Sequence, residues 1–162
     1  MRVISLKPED VAVIYDHSRR EFPNESCGII VGDLADPSKN QIRPCANIQA
    51  KMKERYPEQF ERGADTGYFM DPKDVREAFE LAEKQGLSVI GFYHSHPNHD
   101  AYWSDEDHRA AMWAGTDEPS FPEASHLVVS IHAGAVKGAA VFSWNPATSA
   151  FEKSLSFPGE RD

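Results

Sequence analysis

The sequence predicts an α/β (α+β) fold: a curved, mixed β-sheet with flanking helices. Three observations point to it. Short apolar runs rich in β-branched and aromatic residues alternate with stretches at helical spacing. Gly, Pro, Asn and Asp punctuate the gaps between them. Three strand candidates then follow one another closely at the C-terminal end, so the expected order is β-α-β-β-(β)-α-β-α-β-β-β.

In chain order, Arg2 to Leu6 alternates and reads as a first strand. Pro8 suits a first helical turn, with Glu9 and Asp10 at its positive end, and Val11, Ile14, Tyr15 and Ser18 keep helical spacing to about Arg20. Phe22-Pro23-Asn24 turns into a strand from Ser26 to Gly32, and Asp33 to Asn40 reads as a hairpin loop. The returning strand, Gln41 to Asn47, contains Pro44, which assigns it to an edge or a bulge. Residues 48–66 are irregular and highly charged, an exposed excursion or a substrate contact anchored by Tyr56 and Phe60. Gly67 to Met70 reads as a brief strand. Asp71-Pro72 then opens a helix to Gln85 that ends at Gly86, with Val75, Ala78, Phe79 and Ala82 on one face. Leu87 to Tyr93 is a buried-strand pattern that Pro97 stops. Gly115 to Glu123 reads as loop and candidate flap, and strands follow at Ser125 to His132, Ala135 to Trp144 and Ala150 to Phe157. Ala133-Gly134 makes the tight hairpin between the first two of these, and the tail from Pro158 to Asp162 is expected to fray.

The 162 residues are expected to form one domain, 1–162, with a core that needs no disulfide. Hydrophobic content of 40% and charged content of 27% are those of a soluble globular protein. A formal charge of −9 excludes the basic surface that nucleic acid requires. No apolar run approaches the roughly 18 residues of a membrane span, and no signal peptide precedes the two cysteines, Cys27 and Cys45. A cytoplasmic protein with free thiols is the expectation. Nothing in the sequence fixes an oligomeric state.

The chemistry concentrates at Gly91-Phe92-Tyr93-His94-Ser95-His96-Pro97 and the Ser104-Asp105-Glu106-Asp107 that follows. On a strand, His94 and His96 at i and i+2 face the same way. Ser104 is a good N-cap, and Asp107 three residues on completes a near capping box. Those two residues therefore serve either as a plain helix cap or as part of a site. Taken jointly, two imidazoles and one carboxylate leave a fourth tetrahedral position for water, the arrangement of a catalytic zinc.

This spacing, His94-Ser95-His96-Pro97 with Ser104 and Asp107 behind it, resembles the signature of the JAMM (MPN+) zinc metallopeptidases. Glu25-Ser26-Cys27-Gly28, leading into an apolar strand, resembles that family's upstream glutamate motif. The resemblance implies a sheet similar to that of cytidine deaminases. It implies one zinc ion held by His94, His96 and Asp107, with Glu25 as general base and Ser104 as donor to the oxyanion. It implies hydrolysis of the amide bond after the C-terminal glycine of a ubiquitin-like or sulfur-carrier protein, with release, for example, of a C-terminal cysteine. Taken alone, Glu25 reads as a solvated charge beside a turn.

Three other readings compete. His94-Ser95-His96-Pro97-Asn98-His99 superficially resembles a metallo-β-lactamase run, but Asn98 stands where that family has aspartate. Relatives without metal serve as scaffolds, yet here every ligand position is filled. A nucleoside deaminase would need a Pro-Cys-x-x-Cys pair, which the sequence lacks. His126 and His132 share a strand face and are read as structural.

Overall fold

The computed structural model describes residues 1–160. Six strands form one sheet: β1 (Cys27–Asp33), β2 (Asp36–Cys45), β3 (Ser88–Pro97), β4 (Ser125–His132), β5 (Ala135–Asn145) and β6 (Ala150–Pro158), in the order β2-β1-β3-β4-β5-β6. Only β3 and β4 run parallel, so the sheet is mixed, as the sequence predicts. Four helices accompany it: α1 (Pro8–Glu21), α2 (Gln49–Arg55), α3 (Pro72–Gln85) and α4 (Asp105–Ala111).

The sheet is covered on both faces, which explains why β1 and β3 read as near-continuous apolar runs rather than alternating ones. Ile14 and Tyr15 of α1 pack against Ile30, Tyr93 and Val129 on one face. On the other, Ala78 and Ala82 of α3 meet Cys27, Ile29 and Val31. A third cluster joins Ala111 of α4 to Val128, Phe142 and Phe151. Both longer helices start where the sequence places them. Pro8 stands at the first position of α1, and the Asp71 side chain caps α3 by accepting from Lys73 N at 3.0 Å. Gly86 ends α3 at φ 67°, a left-handed geometry that favours glycine.

Two predicted strands are not strands. Residues 2–6 run alongside the sheet without joining it, because β4 is already paired with β3 and β5. Ile4 is buried and its N–H donates to the Ser125 side chain rather than to a ladder. At 67–70 the only pairing is the isolated bridge Asn47–Met70, and Phe69 N donates to the Asn47 side chain. Other elements are longer than predicted. Most of the 33–40 hairpin loop belongs to β2, which is an edge strand, as Pro44 requires. The strand β3 runs through both histidines to Pro97. The tail is held as far as Glu160, whose N–H donates to Val136 O at 3.1 Å and whose carboxylate pairs with Arg19. Arg161 and Asp162, the end of the expected frayed tail, lie outside the described residues.

Candidate metal centre

The adjoining ends of β1 and β3 and the start of α4 meet at one point. Cys27 lies opposite His94 in the β1–β3 ladder, which sets Glu25, just before β1, beside the histidine pair. Ser95, between the histidines, locks this register. Its hydroxyl accepts from Ser26 N at 2.8 Å and its N–H donates to Ser26 O at 3.1 Å. All four atoms belong to residues with no exposed surface, so these bonds compete with no water.

His94 Nε2 and His96 Nε2 face each other at 3.1 Å. The Asp107 carboxylate closes the triangle, Oδ1 at 3.0 Å from His94 Nε2 and Oδ2 at 3.3 Å from His96 Nε2. Donors bonded to one tetrahedral ion at about 2.0–2.1 Å would stand about 3.3 Å apart. The two imidazole nitrogens and the carboxylate, one oxygen toward each ring, therefore stand at the spacing of such a coordination shell. The tautomer of His96 agrees. Its Nδ1 lies 3.0 Å from Asp100 O, and a carbonyl only accepts, so Nδ1 carries a proton and, in the neutral ring, Nε2 is the nitrogen with the lone pair. Glu25 offers a further oxygen, within 4.8 Å of donor nitrogens of both histidines.

The electrostatics follow from burial against pairing. Burial opposes charge on Asp107, but hydrogen bonds to His94 and His96 and their positive charge hold its carboxyl well below the usual range. Burial pushes His94 down despite Asp107. At His96 burial acts the same way, but Asp107 prevails and the imidazole titrates higher than usual. Glu25 is raised to about 8, first by burial, with His96 drawing it down and Asp107 pushing it up. A bound cation would act on all four at once.

Ser104 caps α4 as the sequence anticipates. Its Oγ accepts from Asp107 N at 3.0 Å, and its own N–H donates to Asp107 Oδ2 at 3.1 Å. The cap uses a lone pair of the hydroxyl and leaves its hydrogen unengaged. The plain-cap and site readings of Ser104 and Asp107 are thus compatible: the same carboxylate that closes the capping box faces both imidazoles.

Glu25, His96, Ser104 and Asp107 line a cleft of about 490 Å³, another wall of which comes from residues 49–67; His94 is buried behind it. Gln49, Arg62, Asp65 and Thr66 face it, so the irregular segment is a wall of the site and not a detached excursion. Gly115 to Glu123 contributes no lining residue. Its Phe121 packs on Phe79 and Phe92 instead, which removes it as a flap over this cleft. His99 lines the cleft but adds no donor to the cluster, and His126 sits among Phe92, Trp103 and Phe151. Sequence reading missed the rings against the histidines, Tyr68 stacked 4.7 Å from His94 and Tyr102 5.1 Å from His96. No local pattern announces either.

Residues 8–146 match the family described as prokaryotic homologs of the JAB domain. The chain belongs to that family. Membership, together with the peptidases among its relatives and the candidate donor cluster, bears out the JAMM resemblance and the reading of the chain as a metal-dependent peptidase. Among the relatives of this JAB chain, a desampylase of Haloferax volcanii is 28% identical over 116 residues, 69% of this chain and 75% of that one. A CysO-cysteine peptidase of Mycobacterium tuberculosis is 26% identical over 128 residues, 79% and 73% of the two chains. A solution structure of a protein from Desulfitobacterium hafniense, 22% identical, shares the fold with a TM-score of 0.66 over 94% of this chain and 90% of that one. No helix among the described residues is long and apolar enough to cross a membrane.

Proposed function

We propose that this JAB domain is a zinc-dependent peptidase that hydrolyses the amide bond after the C-terminal glycine of a ubiquitin-like or sulfur-carrier protein. The observation that carries the reading is the triangle of His94, His96 and Asp107 donors at 3.0–3.3 Å, with the Glu25 carboxylate beside it. The names of the relatives support the substrate class: one is a desampylase, another a CysO-cysteine peptidase.

His94, His96 and Asp107 hold the metal, and two nitrogens with one oxygen suit zinc better than a hard cation. Zinc supplies, when bound, a Lewis acid for the scissile carbonyl and a lowered pKa for water at its open position. Glu25 takes a proton from the attacking water and later passes it to the departing nitrogen. The water oxygen joins the acyl carbon, the C–N bond breaks, and the products are a carboxylate and an amine. Ser104 donates its unengaged hydroxyl hydrogen to the oxyanion. Tyr68 and Tyr102 keep the imidazoles in place and restrict water around them.

The test is to incubate the zinc-loaded protein with a sulfur-carrier protein bearing one residue beyond its terminal glycine and to weigh the products. The carrier should lose that residue, cleavage should stop with a chelator, and zinc should restore it. A carrier recovered intact from zinc-loaded protein overturns the reading.

A further inference from the structure

We infer that Arg62 selects the leaving group: its guanidinium receives the free α-carboxylate of a single C-terminal residue cut from the carrier tail. The inference rests on the peptidase reading above and narrows it from any amide after glycine to one that releases an amino acid.

The position of Arg62 is set by hydrogen bonds that also hold the base. Glu25 N donates to Ala64 O at 2.8 Å, so the segment carrying Arg62 is bonded to the backbone of Glu25 itself. Arg62 O accepts from Gln49 Nε2 at 3.0 Å, and Arg62 Nη1 donates to Thr66 O at 3.2 Å. The side chain therefore lines the same cleft as Glu25 and Asp107, close enough that its charge draws the Glu25 carboxyl downward. One of its N–H groups is used, and a guanidinium has five.

Its charge is also unanswered. Among the described residues Arg62 joins no ion pair. The other arginine on the cleft, Arg109, is bound to Glu106 at 2.6 Å. Outside the donor cluster, the carboxylates there, Asp65 and Asp105 among them, repel an anion. Outside the metal centre, Arg62 is the place in this cleft that favours an entering carboxylate, and a planar fork of N–H donors is the group that binds carboxylates best.

Chemistry fixes where that carboxylate falls. Glu25 returns the proton to the departing nitrogen, so this nitrogen lies against Glu25 when the bond breaks. In a leaving amino acid the carboxylate carbon is two bonds from that nitrogen. It then lies on the Glu25 side of the cleft, where Arg62 stands. A lysine side chain leaving from an isopeptide carries four methylenes there and no negative charge.

The experiment compares two carriers that differ in one group: an extra C-terminal residue ending in a free carboxylate, or the same residue ending in a carboxamide. The zinc-loaded protein should favour the carboxylate by about tenfold in kcat/KM, mainly through KM, as expected for one charge-assisted contact. R62Q should bring the two carriers to within about twofold, and R62K should recover part of the preference. The same ratio should appear in the Kd values of the E25Q protein, which binds without cutting. Equal cleavage of both carriers by the unsubstituted protein, or a preference that survives in R62Q, overturns the role of Arg62 and leaves the peptidase standing. Failure to cut either carrier overturns the peptidase reading and this inference with it.

Discussion

The two walls of the cleft are built by opposite means. The metal wall is sheet and capped helix: His94 and His96 lie on β3, Asp107 in the first turn of α4, all three buried. The facing wall, residues 49–67, is a short helix and irregular chain that carries Gln49, Arg62, Asp65 and Thr66. One side chain, Asn47, holds much of it. Its Nδ2 donates to Glu25 O at 2.9 Å and Gly67 O at 3.2 Å, and its Oδ1 accepts from Gln49 N and Phe69 N. The contrast separates the tasks. The proposed metal donors sit on a strand ladder and a capped helical turn, while the groups proposed to meet the substrate sit on a loop pinned at a few points.

If that division holds, the metal wall should break most severely. Asp107→Ala or His96→Ala should remove both bound zinc and all measurable cleavage, read by metal analysis and by mass spectrometry of the carrier. Glu25→Gln should retain zinc and lose about 10²–10⁴-fold in kcat, the range for a general acid–base group. Zinc loss in Glu25→Gln would make Glu25 a ligand and collapse the distinction between base and donor. Ser104→Ala should lose about 10²–10³-fold in kcat with a further ~1 kcal/mol of stability from the lost cap, whereas Ser104→Thr keeps hydroxyl and cap together. A variant that loses only stability would reduce Ser104 to a cap.

The facing wall should fail more gently. Asn47→Ala removes four hydrogen bonds of one side chain, two of them from amide N–H groups at Gln49 and Phe69. A loss of about 1–3 kcal/mol is expected in a chemical melt, with KM for the carrier rising more than kcat falls. Zinc content should not change. Zinc loss in this variant would mean that the two walls are one cooperative unit.

The same division governs how much was legible in the sequence. The metal wall rests on short-range rules: alternation puts His94 and His96 on one face, and Ser104 to Asp107 is a capping box within one helical turn. Such rules survive folding, and the four central residues fell where their spacing put them. The facing wall depends on contacts far apart in sequence, as between Gln49 and Arg62, and no pattern in 48–66 encodes them. Tyr93 illustrates the limit within the sheet as well. The sequence marks it only as a strand residue, yet its hydroxyl reaches His17 Nδ1 at 2.7 Å. It passes directly over Gly28, where a Cβ would stand 2.2 Å from its ring. Residues 2–6 failed for the converse reason: the local pattern was right for a strand, but the segment lies against β4, which is already paired on both sides.

The smallest expected effect concerns the aromatic layer behind the metal wall. His126 lies between Phe92, Trp103 and Phe151, and burial pushes its pKa down to about 3, with positive charge on His94 adding to the shift and Asp107 opposing it. The folded value lies below the unfolded value of 6.5, so the neutral ring is a source of stability above 6.5. That contribution is lost as pH falls from 6.5 toward 3, because the unfolded chain then takes up a proton that the folded one refuses. One such group gives a slope of at most about 1.4 kcal/mol per pH unit. His126→Phe keeps a ring among rings and removes the proton. Its stability in urea at about pH 5 should therefore fall less from its value at about pH 7 than that of the unsubstituted chain. The Glu25 carboxyl, raised by burial, acts with opposite sign in the metal-free protein, stabilising at low pH and losing effect as pH rises toward 8. Running the comparison in both the zinc-loaded and metal-free forms separates the two: the His126 slope should survive zinc, and a slope that vanishes with zinc belongs to the metal wall.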